Sequence, residues 1–432
     1  MRVLWVNNIA VPEIAAKLGV PVSNREGWIS GMMRKLSLVQ EDIILASAFP
    51  VPVTIDNIGT TVRVGESDIQ CYSFHEDIRN PEKVTPGIRE RFQDIISDFK
   101  PDIVHIFGTE FYHSAAAAQA FGRPERTLIG LQGMMRAYEN VYMGGLQRSD
   151  LGLPTLRDIV RMDGIGAQKR KFAIRADHEA EALRLTANVT GRTGFDRTEA
   201  LKVNPDLNYY HMNETLRESF YSDSWSMQEC VPDSIFVSQG YYPIKGLHFM
   251  LEAMPYILEE YPYTILRVAG DDVAALTPCE PNLQKKKLLR ISSYGRYLRK
   301  LIKEKGLQNC VEMTGPLTEQ EMKQEYLRAN VFVCPSAIEN SPNSLGEAMM
   351  LGVPCVASRV GGIPDMLDDG REGVLVPFGD ARSLADAVKN MFLKSAVTTL
   401  YSMAAKKRSH ITHDPDTNYK RLMEIYSELM AK

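Results

Sequence analysis

The chain has little cysteine, and what it has is scattered. Six cysteines occur in 432 residues: Cys71, Cys230, Cys279, Cys310, Cys334 and Cys355. No C-x-x-C pair is present, so neither a thiolate zinc site nor a redox dithiol is indicated. Cys334 and Cys355 sit in short apolar runs, where a free thiol behaves as a small hydrophobe. A reduced, cytoplasmic chain is the expectation. Long apolar runs are also missing. No stretch of about 18 apolar residues exists to cross a bilayer. In "MRVLWVNNIAVPEIAAKLGV", Asn7, Asn8 and Pro12 interrupt what would be a signal core. Excess charge of one sign is absent too: 50 Lys and Arg stand against 54 Asp and Glu, a net charge of −4. No nucleic-acid partner is expected from such a balance. Neither G-x-G-x-x-G nor G-x-x-x-x-G-K-[ST] occurs, which removes the ordinary dinucleotide and P-loop fingerprints.

What is there is an alternation of short β-branched runs with helical patterns. "RVLWV" reads as a strand. "NNIAVPEIAAKLGVPVSNREG" reads as a long loop and "WISGMMRKLSLV" as a helix. "FQDIISDFKPDIVHIFG" reads as helix then strand, and "RTLIGLQG" as strand then loop. The stretch 140–230 has few strand signals beyond "NVTG" and "NYYHM". A second series follows, with strands at "SIFVSQG", "TILRVAG", "CVEMTG", "VFVCPS", "PCVAS" and "GVLVP". Such alternation predicts two α/β domains with largely parallel sheets. The expected division is 1–220, 221–410 and a terminal amphipathic helix over 411–432. Pro255, inside the helical pattern 247–258, is expected to kink or weaken it. Lys285–Lys305 carries nine Lys or Arg and one Glu. It reads either as a patch for acidic lipid or nucleic acid, or as a solvated helix face.

The chemistry concentrates in "PSAIENSPNSLGEAMMLGVPCVASRVGG", residues 335–362. A strand ends at Pro335. Ser341 reads as an N-cap with Pro342 at the first helical position. Leu345, Ala348 and Met349 form the apolar stripe, and Gly352 suits a left-handed helix end. The amides of Asn343, Ser344 and Leu345 then point out of a helix start, where the dipole favours anions. Glu339 lies before this helix and Glu347 one turn into it. Carboxylates repel phosphate but accept from hydroxyls, so the pair fits a ligand with phosphates in the middle and hydroxyl-rich groups at both ends, a nucleoside diphosphate sugar. Two blander readings stand beside this one: Glu347 closing a capping box with Ser344, and Glu339 as a solvated loop residue.

The same stretch closely resembles the E-x7-E signature of family 4 (group 1) retaining glycosyltransferases of the GT-B fold. The match includes Glu339, Ser341, Glu347, Ala348, Gly352, Pro354 and the Gly361-Gly362 pair. "FVSQGYYPIKGLHFMLEAMP", "GLQNCVEMTGPLTEQEM", "VLWVNNIAVPE" and "PDIVHIFGTEFYHS" are also similar to the family, so the likeness spans nearly the whole chain. It implies two Rossmann-like α/β domains facing a cleft, with the C-terminal helix crossing back to the N-terminal one. It implies a retaining transfer of a hexosyl group from a nucleotide sugar to a glycan or lipid-linked acceptor in polysaccharide or cell-envelope synthesis. An epimerase on the same fold and an inactive donor-binding scaffold are the alternatives.

By the resemblance, Glu339 contacts the donor sugar and Glu347 the ribose. Asn343, Ser344 and Leu345 hold the diphosphate through their amides, beside Ser341. Lys245 neutralises the diphosphate (or is a plain surface lysine), and Gly27 allows a close backbone approach. Two departures stand out. The family usually has an arginine five or six residues before the lysine, where this chain has Gln239 and Gly240. Relatives often place a histidine where Gln132 stands, and glutamine cannot act as a general base near neutral pH. Glu110 and His113 are acceptor-side expectations, and His105 reads as a strand histidine. "GRTGFDR" (191–197) shares the family look without a physical role. No cofactor and no metal is required by this reading, although "GDD" at 270–272 is a weak metal motif. Contact with the inner face of a membrane is compatible with a lipid-linked acceptor.

Overall fold

Short β-branched runs bounded by glycine become strands, and the amphipathic segments between them cover both faces of the sheets they form. The computed structural model describes residues 1–21, 27–38, 43–276, 291–393 and 396–432. They divide into two units: unit 1 is 1–139, 171–217 and 412–432, and unit 2 is 140–170 and 218–411. Residues 140–170 therefore group with unit 2 instead of the 1–220 stretch expected to hold them. Cys279 and the Lys285–Arg290 half of the basic run lie outside the described residues.

Unit 1 carries β1 (Arg2–Val6), β2 (Ile44–Val51), β3 (Gly59–Val64), β4 (Ser67–His75), β5 (Ile103–Phe107), β6 (Thr127–Gly130), β7 (Asn188–Gly191) and β8 (Asn208–His211). Their order is β3-β4-β2-β1-β5-β6-β7-β8. The described pairs are parallel except β3 with β4. The expected long loop after β1 contains a helix, Pro12–Leu18. Pro12 starts that helix at a position where a missing N–H costs nothing, and Gly19 ends it with φ 65°. The C-terminal helix Pro415–Met430 belongs to unit 1 and buries Leu422, Ile425, Tyr426 and Leu429 in its core. There the Trp5 indole N–H donates to the Tyr426 hydroxyl at 2.9 Å, and that hydroxyl lies 2.7 Å from His105 Nδ1. His105 is thus a buried strand histidine.

Unit 2 carries β9 (Ser234–Val237), β10 (Ile265–Ala269), β11 (Val311–Gly315), β12 (Val331–Cys334), β13 (Cys355–Ser358) and β14 (Val374–Val376). The order is β11-β10-β9-β12-β13-β14, and the described pairs are parallel. The chain winds outward from β9 in one direction and from β12 in the other. The crevice at the carboxyl ends of β9 and β12 is therefore a topological switch point, where open α/β sheets bind ligands. The helix Leu247–Leu258 runs through Pro255 without ending. Burial of Met250, Leu251, Met254 and Ile257 in the unit 2 core outweighs the lost backbone bond. The helix Ser293–Glu304 buries Tyr294, Leu298, Leu301 and Ile302 and exposes Arg296, Lys300 and Lys303, so this half of the basic run is an amphipathic surface helix. Among the described residues, no helix is long and apolar enough to cross a membrane. Both units are thus α/β, as the alternation of strands and helices predicts.

Three histidines are buried away from compensating acids. In unit 2, His248 sits between the Gly144 carbonyl at 2.9 Å and the Tyr294 hydroxyl at 3.0 Å. In unit 1, His413 Nδ1 lies 2.6 Å from the Glu214 carbonyl. Burial pushes His105 down to about 3 and both His248 and His413 down to about 4. The unfolded chain takes up these protons near the ordinary histidine value, about 6.5. Between that pH and about 4 the unfolded state holds more protons, so stability falls as pH drops, by about 1.4 kcal/mol per pH unit per histidine. Thermal midpoints measured from pH 7 to pH 5 are expected to fall steadily, with a shallower slope in His248→Gln.

Candidate functional site

The site grows from two strand ends brought side by side. β9 pairs with β12, so the segments that follow them, 238–246 and 335–342, leave the sheet together. They are held by backbone. The Ala337 N–H donates to the Ile244 carbonyl at 2.7 Å. Gly246 has φ 70° and its Cα presses so close that an added Cβ would lie 1.8 Å from the Pro335 carbonyl oxygen. A third segment closes in after β13. The Gly362 N–H donates to the Glu339 carbonyl at 3.0 Å, and a Cβ on Gly361 (φ 51°) would lie 1.9 Å from that same oxygen.

Inside this frame Lys245 and Glu339 meet. The Lys245 Nζ donates to Glu339 Oε1 at 2.7 Å, and the Ser336 hydroxyl donates to the same oxygen at 2.7 Å. Glu339 is buried, not a solvated loop residue. Burial works against the charge on Lys245, but the Glu339 carboxylate outweighs it and the ammonium is held above the usual lysine value. Lys245 is therefore a paired, part-buried cation and not a free surface lysine. Burial pushes the neighbouring Cys334 thiol up to about 12, with Glu339 adding to the effect, so that thiol stays neutral. Ser336 is the member of this cluster that sequence reading missed. Its only signal was a hydroxyl three residues before Glu339.

The helix after β12 runs Asn343–Leu351, with Pro342 at the cap position and no side-chain cap. It starts one residue later than the pattern of Ser341 cap and Pro342 first turn. Ser344 sits inside the first turn, so the Ser344–Glu347 capping box does not form. The Leu345 amide donates to the Pro342 carbonyl at 3.0 Å, which corrects its expected role as an open anion donor. The amides of Asn343 and Ser344 remain at the helix start, and Ser341, Asn343 and Ser344 are part-exposed. Glu347 is buried one turn in, and Gly352 ends the helix with φ 81°. Gln239 is part-exposed at the end of β9. A Cβ on Gly240 would lie 2.5 Å from a Leu247 methyl and 3.1 Å from Val268, so a side chain at position 240 would require Leu247 to shift. Asp272 of the "GDD" motif accepts from the Leu276 amide at 3.0 Å.

The remaining expected residues lie in unit 1. Gly27 opens the helix Gly27–Leu38. Glu110 accepts from the Gly133 amide at 3.1 Å and from Asn8 Nδ2 at 3.3 Å, tying the ends of β1, β5 and β6 together. Gln132 Nε2 donates to Glu214 at 2.7 Å. Glu214 in turn forms a buried ion pair with Arg192. That pairing, with the Thr193–Asp196 capping box, gives "GRTGFDR" its physical role. His113 differs from expectation: it is fully buried, with Nδ1 2.5 Å from Glu76 and its ring stacked on Phe111. Such a ring is closed to an acceptor. Glu179 was missed by sequence reading because it sits in the middle of a long charged helix. Burial pushes it up to about 7, and it accepts from the Thr109 hydroxyl at 2.9 Å and the Met135 amide at 3.0 Å.

The close approach at Gly361 makes a direct test. Gly361→Ala combines a left-handed backbone with a steric clash on the Glu339 carbonyl, whereas Gly306 has φ 69° and open space around it. Gly306→Ala is expected to cost about 1 kcal/mol, the backbone term alone. Gly361→Ala is expected to cost about 3 kcal/mol or more, since the clash adds to a strained conformation. Urea unfolding followed by fluorescence compares the two.

Residues 231–393 match the family model described as glycosyl transferases group 1. A putative colanic acid biosynthesis glycosyltransferase, WcaL of Escherichia coli, is 34% identical over 176 residues, 39% of this chain and 38% of that protein. The match thus spans well under half of that relative's length. Among solved structures, the sucrose-phosphate synthase of Thermosynechococcus elongatus aligns with a TM-score of 0.70 at 14% identity, covering 100% of both chains. Anabaena HepE, solved in complex with UDP and glucose, aligns with a TM-score of 0.64 at 14% identity, covering 99% of both. The crevice at β9 and β12, with Lys245, Glu339 and Glu347, lies wholly inside the matched segment. Over residues 231–393 the chain matches the group 1 glycosyl transferases, and the likeness takes in the whole Lys245–Glu339 cluster.

Proposed function

We propose that the chain is a retaining hexosyltransferase of the family 4 type. It moves a sugar from a nucleoside diphosphate donor to a glycan or lipid-linked acceptor during polysaccharide or cell-envelope assembly, on the cytoplasmic side. The observation that carries the reading is the part-buried Lys245–Glu339 pair at the sheet's switch point, beside the start of the Asn343–Leu351 helix. An ammonium has three donors, and only one is needed for Glu339. The HepE complex with UDP and glucose and the colanic acid relative support the donor class and the setting.

In this reading Lys245 and the amides of Asn343 and Ser344 face the diphosphate. Charge-assisted bonds of this kind contribute roughly 1.5–3 kcal/mol each. Glu339 takes hydroxyls of the sugar and Glu347 those of the ribose. Gln239 lies beside the diphosphate. As the bond from the anomeric carbon to phosphate oxygen breaks, negative charge grows on the diphosphate and fixed donors stabilise it, often the largest catalytic contribution. The acceptor hydroxyl attacks from the same face and passes its proton to the leaving phosphate. Lys245 and the helix amides supply the positive charge, so no metal is needed.

A thermal-shift panel of UDP, GDP, ADP and CDP with EDTA present tests the donor site. One nucleotide at 50-fold over its Kd is expected to add roughly 2.3 kcal/mol, and Glu347→Ala should lose that gain. No shift with any base would leave an inactive scaffold as the better account. Proton NMR of the product's anomeric centre reads retention, and a glycosyl–Glu339 adduct trapped by mass spectrometry would overturn same-face attack.

A further inference from the structure

The short helix Leu156–Val160 is turned inside out. Its buried residue is an acid, Asp158. The Asp158 carboxylate accepts from the Ser293 amide at 2.9 Å and the Thr155 amide at 3.1 Å, and it pairs with Arg157 at 3.2 Å. Fastening the polar side of the helix to the start of the Ser293–Glu304 helix leaves the apolar side outward. Leu156 is 54% exposed, and Ile159 and Val160 are each 63% exposed. The flanking Leu153 and Met162 are 82% and 81% exposed. Met162 is held at φ 49°, a left-handed conformation that a non-glycine residue adopts at a cost. Singly exposed apolar side chains need no explanation, but five within ten residues form a patch of the kind that marks an interaction surface.

Cations border this patch. Arg148, Arg161 and Arg170 are exposed, and none of them has an ion-pair partner among the described residues. The guanidinium groups of Arg148 and Arg170 converge on Gly166, at 4.0 and 3.9 Å from where its Cβ would stand. A protruding apolar ridge flanked by unpaired arginines matches the chemistry of an anionic bilayer surface, with acyl chains for the ridge and phosphates for the rim. A second copy of the chain is a poorer occupant. A two-fold contact sets the same patch against itself, bringing Arg161 and its neighbours against their own like charges.

We propose that the 153–162 segment of unit 2 docks the protein on an anionic lipid surface. Leu153, Leu156, Ile159, Val160 and Met162 enter the interface, and Arg148, Arg161 and Arg170 meet headgroup phosphates. This surface is independent of the reading of the donor site.

Co-sedimentation of the full chain with vesicles tests it, using phosphatidylcholine alone or mixed with phosphatidylglycerol, at low and high salt. Wild type is expected to bind the mixed vesicles. Ile159→Asp with Met162→Asp is expected to lower the partition coefficient by about tenfold or more, since two inserted side chains become charged. Arg148→Gln with Arg161→Gln should lower binding to the mixed vesicles and flatten its salt dependence. Tyr263→Asp, at an exposed position elsewhere in unit 2, should change neither. All these side chains are exposed, so unchanged thermal midpoints confirm that the variants fold. Absence of wild-type binding to the mixed vesicles overturns the proposal, as does equal binding by the Ile159/Met162 variant or an equal loss in Tyr263→Asp. A lipid-free dimer that the Ile159/Met162 variant dissolves overturns it too, by assigning the patch to a second copy.

Discussion

Backbone-to-backbone contact, without side chains between, is the constraint on which unit 2's site depends. Gly246 lies against the Pro335 carbonyl and Gly361 against that of Glu339, so three chain segments from β9, β12 and β13 converge at less than a side chain's thickness. Only that closeness lets Lys245 reach Glu339 at 2.7 Å and leaves Glu339 too buried to be an ordinary loop residue. The ion pair follows from the glycines. A lysine and a glutamate separated by 94 residues could not be held so tightly by flexible loops. The carboxylate is further held by Ser336, which donates to the same oxygen that receives Lys245. A buried charge left unpaired would cost several kcal/mol, so the local chemistry and the local fold specify one another.

Much of this was legible in the amino-acid pattern. The six strands of unit 2 announced themselves as short β-branched runs, but their order, which reverses between β9 and β12, had no local signal. Glu339 and Glu347 stood out as carboxylates around a helix start, but the family resemblance, not the spacing, singled them and Lys245 out. What was not legible depended on contacts distant in sequence. His113 looked like a loop residue after a strand, but Glu76, from the end of a different strand, draws it into the core. Pro12 looked like an interruption, yet proline at a first helical position reads the same in sequence as proline in a loop. The Leu345 amide looked open because the turn closed by Pro342 shifts the helix start by one residue, and such boundaries carry weak local signals.

Unit 1 ties its strand ends with carboxylates, one of which packs against a glycine: a Cβ on Gly108 would lie 2.1 Å from Glu110 Oε2. Glu110 binds the loops after β1 and β6, Glu179 binds those after β5 and β6, and Glu214 joins Gln132 to Arg192. The outcome is a rim of loops fixed by acids that are themselves saturated with donors. Glu179, raised to about 7 by burial, is the member whose charge is most costly to keep.

The interleaving of the chain between the units has a consequence for recombination. Residues 140–170 belong with unit 2 but are encoded inside the stretch that builds unit 1, and the helix Ile165–Arg184 runs unbroken across that boundary. A gene fragment beginning at 218 would omit the Gly144 carbonyl that pairs with His248 and the Asp158 carboxylate that caps the Ser293–Glu304 helix. Exchange of unit 2 between relatives therefore cannot proceed through a single crossover. Inheritance of one unit carries a splice from within the other, which ties the evolutionary fates of the two halves.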